Sequence, residues 1–367
     1  FSPGIMNLIG EHIDYHGGYV LPATISMGTY ALVSKRSDKK IRMYSANFPD
    51  EGIFEFSLPV GKFDKKASWT NYPKGVMWVI ENQYHPMPFG FDIYYYGNIP
   101  NGAGLSSSAS LQLLTAWVLK DLFGYDFDRV EAALMSQKSE NEYVGVQCGI
   151  MDQFAVAMGK EHQAILLNTN SLQYEYAPIA LENARFVIMN SNKQRGLEDS
   201  AYNTRREESE KAFHIARKHY PKIAYLTDLK LEELETIKDL FEDELIYRRA
   251  KHVVSENERT LASLRALEAN DLKTFGELLN ASHASLKEDY EVTGQELDTL
   301  AETAQSIDGV YGARMTGAGF GGCAIALVHE DSVDSMIETV SRKYHQKMMY
   351  DADFYIADIV DGVHKID

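Results

Sequence analysis

Pro100-Asn101-Gly102-Ala103-Gly104-Leu105-Ser106-Ser107-Ser108-Ala109-Ser110 stands between the aromatic run Phe91–Ile99 and an apolar 3–4 spacing through Leu111, Leu114, Trp117, Val118 and Leu122. The first flank reads as a strand and the second as a helix. Strand, glycine/serine loop and helix follow in the order an anion site needs. Glycines let the backbone approach a ligand closely, and the first-turn amides of a helix have no internal acceptor. Those amides and the positive helix end suit phosphate, while serine hydroxyls suit a phosphate oxygen or Mg²⁺. Read alone, the loop serves equally well as a Gly/Ser connector or a serine helix cap. No Gly-Lys-Ser/Thr follows, so it is not a Walker A loop, and the protein-kinase signatures are missing.

Working outward, a second glycine cluster lies at Gly312-Ala-Arg-Met-Thr-Gly-Ala-Gly-Phe-Gly-Gly322, a loop whose backbone can crowd a substrate or simply a tight β-turn. Near the start, Glu11-His12-Ile13-Asp14 gathers two carboxylates and an imidazole before Gly17-Gly18. Acceptor-rich clusters suit polyhydroxyl ligands, because each hydroxyl can donate to a carboxylate. A solvated charged loop is the plain alternative. His12 and His16, four residues apart, raise a zinc reading, but no third ligand and no His-Glu-x-x-His pattern accompany them. Asp152, in the apolar Gly149-Ile150-Met151-Asp152-Gln153, reads as a buried cap or as a general base.

The rest of the chain supplies the frame. At 367 residues it exceeds the size at which one core usually stops growing, which predicts two domains, 1–185 and 186–367. Strands are expected over 19–35, 41–47, 53–58, 164–167, 185–190, 322–328 and 354–359. Helices are expected over 70–83, 128–144, 199–218, 243–268, 271–287 and 332–347, with another opening at a Thr293-Gly-Gln-Glu296 capping box. Only two cysteines, Cys148 and Cys323, are present, which points to a reducing cytoplasm rather than a disulfide framework. A formal charge of −17 argues against broad nucleic-acid binding, and no apolar run suits a membrane span.

Together the first motif (Pro3-Gly4-Ile5-Met6-Asn7-Leu8-Ile9-Gly10-Glu11-His12-Ile13-Asp14-Tyr15), Gly102–Ser110 and Gly312–Cys323 resemble the signature of the GHMP kinases, and among these the galactokinases. Cys148–Phe154, Tyr202-Asn-Thr-Arg-Arg206 and Asp289–Thr293 extend the likeness almost end to end. The resemblance implies two α+β domains with the active site between them, ATP and Mg²⁺, and phosphorylation of the C1 hydroxyl of galactose by a cytoplasmic monomer. It implies Asp152 as general base, with Glu11, His12, Asp14, Gly149 and Tyr202 around the sugar. Trp69 and Tyr72 would flank adenine, Gly102–Ser110 would cradle the phosphates, and Ser108 with Glu140 would hold Mg²⁺. Glu142 stays open as an alternative ligand.

One departure bears on the chemistry. Galactokinases carry arginine where this chain has Ile5, beside the catalytic aspartate, and Ile13 and His16 replace the usual threonine and asparagine. Losing a nearby cation raises a carboxylate's pKa and removes charge stabilisation. Lys193 and Arg195 are the candidate substitutes. A kinase of a related sugar, or a non-catalytic sensor of galactose and ATP, remain the alternative readings.

Overall fold

The computed structural model describes residues 1–100, 103–193 and 198–366, with 198–200 described by backbone alone. Gly102 and Arg195 lie outside the described residues. The first half builds β1 (Ser2–Asn7), β2 (Tyr19–Val20), β3 (Pro22–Lys35), β4 (Lys40–Ser45), β5 (Phe54–Ser57), α1 (Asn71–Gln83) and β6 (Phe91–Gly97). Then come α2 (Ser107–Phe123), α3 (Arg129–Lys138), α4 (Met151–Met158), β7 (Gln163–Asn168) and β8 (Tyr174–Pro178). The second half runs β9 (Ala184–Asn190), α5 (Glu198–His219), α6 (Leu231–Thr236), α7 (Glu244–Glu268), α8 (Leu272–Ser285) and α9 (Gly294–Gln305). It closes with β10 (Val310–Thr316), β11 (Cys323–His329), α10 (Val333–Met348) and β12 (Asp353–Ala357).

Three sheets result, ordered β1-β3-β6-β4-β5, β10-β11-β9-β12 and β2-β7-β8. The edge strand β1 pairs antiparallel with β3, setting Ile5 opposite Thr24 and Asn7 opposite Pro22. One core packs α1, α2, α3 and α4 against the first sheet, and a second fills the helical second half. A third cluster joins the halves, packing Met6, Leu8 and Ile9 with Phe275, Leu279 and Ile325. Leu8 and Ile9 are both fully buried. Burying a side chain of this size contributes roughly 1.5–3 kcal/mol, so the pair anchors the turn that carries Glu11 to Asp14. No helix among the described residues is long and apolar enough to cross a membrane.

Four local features differ from the sequence expectations. The helix expected over 128–144 ends at Lys138 and continues as a π turn, Ser139–Val144, closed by Gly145 at φ 89°. Such turns are rare and often sit at functional sites, and this one carries Glu140. The helix expected over 271–287 likewise ends at Ser285 and passes into a second π turn, Leu286–Tyr290. Thr293 precedes α9 but makes no side-chain capping bond, because Gly294 starts the helix from a left-handed φ of 73°. Finally, the glycine-rich Gly312–Gly322 is not all loop. Its first five residues are strand β10, fully paired with β11, and only 317–322 form the turn.

Candidate active site

The first motif and the glycine/serine loop meet through the backbone: the Ile5 amide donates to the Leu105 carbonyl at 3.2 Å. The turn after β1, loop residues 104–108, the π turn, the start of α4, α5 and the β10–β11 turn then enclose a cleft of about 800 Å³. Its lining includes Glu11, His12, Asp14, Tyr72, Gly104, Leu105, Ser106, Ser107, Ser108, Glu140, Gly149, Asp152 and Tyr202. Most of the residues singled out from the sequence are therefore brought together.

Four described ones are not. Ala103 and Ala109 are buried in the two cores flanking the loop. Ser110 is fully buried and spends its hydroxyl on the Ser2 carbonyl at 2.8 Å and Thr29 Oγ1 at 2.9 Å. One further turn of α2 points it at the sheet rather than at the helix mouth. Trp69 packs edge-on against Tyr95 and Phe54 instead of lining the cleft, so only Tyr72 of the expected aromatic pair borders it.

Loop geometry leaves the helix mouth open. Ser106 precedes α2 with φ 60° and ψ 43° and makes no capping bond to the helix. A non-glycine residue in this region carries strain, which functional sites tolerate. Its hydroxyl bonds to Asp152 instead, so Ser106 gives the first-turn amides of α2 no acceptor. Glycine is needed where the β10–β11 turn meets this loop: Gly317, at φ 83°, would place a Cβ 3.4 Å from the Gly104 carbonyl.

Burial dominates the acidic groups. Asp152 is held above the usual aspartate range by desolvation, against the opposing Ser106 bond. Burial, then the Asp152 charge, pushes Asp14 up to about 6. The same two causes push Glu140 up to about 7, opposed by Gln153, Ser108 and Gln112. Gln153 Nε2 donates to Glu140 Oε2 at 2.9 Å, while its own Oε1 is buried without a partner. Asp14 packs tightly on Gly149, where a Cβ would lie 2.4 Å from Oδ2. Only glycine fits there.

His12 sits at φ 61° with both ring nitrogens already engaged. Nε2 lies 3.0 Å from the Ala318 carbonyl, which can only accept, so Nε2 carries the proton. Burial lowers the ring to about 4, keeping it neutral, and Nδ1 then accepts from Tyr15 at 2.9 Å. Tyr15 in turn accepts from Tyr290 at 2.7 Å. His12 thus meets the cleft with its ring face and edge, beside Tyr202 at 5.4 Å between centroids. His16 is no partner for it: its Nε2 is bonded to Ser209 at 2.8 Å. The zinc reading of the two histidines has no geometric support.

The cation that borders the cleft was missed in the sequence. Among the described lining residues it is Arg206, whose guanidinium lies 5.6 Å from the Tyr15 ring and whose charge favours ionised Asp14. It stands in the quoted Tyr202–Arg206 stretch, one helical turn after Tyr202, so the 3–4 spacing was the available signal. Lys193 pairs with Glu296 at 3.1 Å and does not line the cleft. Elsewhere His283, Asp298 and Glu302 cluster like metal ligands. However, the Met315 amide donates to His283 Nδ1 at 3.2 Å, leaving the proton on Nε2, and Lys287 already neutralises both carboxylates.

An anion-binding helix mouth facing a carboxylate-rich cup is the arrangement of the GHMP kinases, and family models for their N-terminal and C-terminal domains match residues 71–160 and 263–346. The galactose-binding signature of the galactokinases matches residues 1–35. The galactokinase of Fusobacterium nucleatum is 51% identical over 366 residues, covering 100% of this chain and 94% of its own. That of Lactiplantibacillus plantarum is 53% identical, covering 99% and 93%. Lactococcus lactis galactokinase, solved with galactose, superposes with a TM-score of 0.95 at 50% identity, covering 100% of this chain and 94% of that one. Methanococcus jannaschii mevalonate kinase, at 18% identity and a TM-score of 0.70, shares the fold. This chain belongs to the galactokinase family.

Proposed function

We propose that the protein transfers the γ-phosphoryl group of ATP to the C1 hydroxyl of galactose, giving galactose 1-phosphate and ADP. The observation that carries this reading is the single cleft in which Asp152 faces the sugar turn on one side and loop residues 104–108 on the other. Glu11, Asp14 and the Gly149 backbone take the sugar hydroxyls, Tyr202 covers the ring, and His12 forms the wall between them. Tyr72 stacks on the base. The open amides at the start of α2 and the serine hydroxyls receive the phosphates. Asp152 accepts the C1 proton as that oxygen bonds to the γ-phosphorus and the bond to the ADP oxygen breaks.

The oxygen donors Ser108 and Glu140 suit Mg²⁺: a buried carboxylate crowded by a second one gains most from a hard cation. When bound, Mg²⁺ would neutralise charge on the phosphate oxygens. Ser106 keeps Asp152 oriented, and closure around the cleft excludes water. The protein is read as a cytoplasmic monomer of two domains, 1–185 and 186–367.

A second reading has its own observation. Ile5 is buried against the cleft where the family arginine would stand, and among the described residues no cation acts on Asp152. That favours slow turnover, or another sugar. Galactose-dependent ADP release, with the product identified as the 1-phosphate and a panel of hexoses and N-acetylhexosamines run beside it, decides the matter. Binding of galactose and ATP without turnover would replace the kinase reading by a sensor.

A further inference from the structure

Arg314 lies on β10, three residues before Gly317, and is fully buried. Its donors are all directed at protein groups. Nε donates to Ser282 Oγ at 3.1 Å, and Nη1 to the carbonyls of Leu8 at 2.9 Å and Asn7 at 3.4 Å. Nη2 faces Glu11 Oε2, with Glu256 Oε1 3.7 Å away on its other side. Glu256, on α7, is equally buried and is tied down by Arg259 at 2.8 Å and Ser282 at 2.6 Å. It also accepts the Gly10 amide at 3.1 Å. One carboxylate of α7 therefore holds the sugar turn twice, directly at Gly10 and through Arg314 at Glu11.

The other oxygen of Glu11 is equally constrained. Oε1 accepts from the Gly317 amide at 3.0 Å and from Thr316 Oγ1 at 3.2 Å. Glu11 still borders the cleft. Stability alone does not account for such a network. Buried ion pairs are desolvated at a cost that apolar residues of the same size avoid, and replacing them is often neutral or stabilising. What Arg314 does that an apolar residue cannot is to set the direction of the Glu11 carboxylate.

We propose that Arg314 and Glu256 are the positioning residues of the sugar site, holding Glu11 in the one orientation from which it accepts sugar hydroxyls while touching no ligand themselves. The proposal rests on the galactose reading of the cleft. Arg314→Lys keeps a buried cation between the two carboxylates but lacks the planar five-donor fork, so Glu11 loses its fixed direction. The expected result is a KM for galactose raised by about tenfold or more, because misplacing a binding group by an ångström has effects of this order. The KM for ATP stays within about twofold, and kcat falls less than the galactose KM rises.

Because an unbalanced buried charge can prevent folding, a second variant, Glu256→Gln/Arg314→Met, removes one charge of each sign. It should show the same split, and adding Glu11→Gln to it should raise the galactose KM little further. Galactose KM unchanged in either folded variant, galactose and ATP KM rising in parallel, or failure of both variants to fold would each assign the network to stability and overturn the proposal. A parent protein that neither binds nor phosphorylates galactose would overturn the reading of the cleft, and this proposal with it.

Discussion

Gln153 donates its side-chain N–H to Glu140 across 2.9 Å, joining α4, whose first turn carries Asp152, to the π turn that carries Glu140. Both residues are buried. Partners of this kind orient a metal-binding carboxylate, and removing one typically lowers metal affinity by about 10–100-fold. Gln153→Leu should therefore raise the Mg²⁺ concentration needed for half-maximal activity by roughly that factor. Mn²⁺ binding in the presence of nucleotide, followed by paramagnetic resonance, should weaken in step. An unchanged metal dependence would show that Glu140 is oriented without it.

Asp152 has the serine hydroxyl of Ser106 as a partner, and among the described residues no cation shifts it, while Ile5 lines the same cleft. Restoring charge with Ile5→Arg should favour the ionised carboxylate and stabilise the moving phosphoryl group. The expected outcome is a higher kcat on galactose, with the acid limb of the kcat/KM profile moved to lower pH. Asp152→Asn, by contrast, should lower kcat by about 10²–10⁴-fold with galactose binding retained. A rate for Ile5→Arg no higher than the parent's would remove the charge argument.

His16 offers a pH test with a defined sign. Burial first, and Arg206 second, lower its pKa from 6.5 to about 3, so the folded protein refuses a proton that the unfolded chain accepts. The stability this neutral ring contributes is complete above pH 6.5 and is lost as the pH falls from 6.5 towards 3. His16→Asn removes that titration. Between pH 8 and pH 5 the variant should gain about 2 kcal/mol relative to the parent, following 1.36 kcal/mol per pKa unit. Denaturant unfolding at the two pH values measures it, and a stability difference that does not change with pH would contradict the buried neutral state.

Ser110 separates a structural serine from the ligand-facing ones. Its hydroxyl ties α2 to β1 and β3. Ser110→Ala leaves the Ser2 carbonyl without its donor and the Thr29 hydroxyl without its acceptor, which should cost about 1–3 kcal/mol of stability. The KM for ATP should stay within about twofold. Ser108→Ala should do the reverse, weakening Mg²⁺-nucleotide binding with little change in unfolding midpoint. Equal effects of both on the ATP KM would place Ser110 in the cradle after all.

Much of this organisation was legible from local signals. The strand–loop–helix order around Gly102–Ser110 survives as β6, the loop and α2, because that pattern rests on periodicity and backbone freedom within twenty residues. Helical residues 199–218 and 243–268 fall within α5 and α7 to within a residue or two. The π turn at Glu140 was not legible, since one extra residue in a helical turn leaves the apolar spacing of its neighbours intact. Nor was Arg314 as a partner of Glu11: a glycine-rich stretch reads as loop, and it took pairing with β11 to make its first half a strand.

The sequence by itself determined the family, the position of the glycine/serine loop before α2 and the identity of the acidic groups, because each depends on residue type and short spacing. Tertiary structure alone decided which of those groups share a cleft, and what each one's nitrogens and oxygens are bonded to. Glu11 is hundreds of residues from Glu256 and Arg314, which are themselves far apart in sequence, and no local rule brings the three together. His12 and Ser110 are polar residues whose hydrogen bonds are already taken by distant protein atoms, a matter of burial and partner geometry that residue type cannot express. For the same reason the consequence of Ile5 became clear only in three dimensions, where the described residues around Asp152 supply a hydroxyl and no cation.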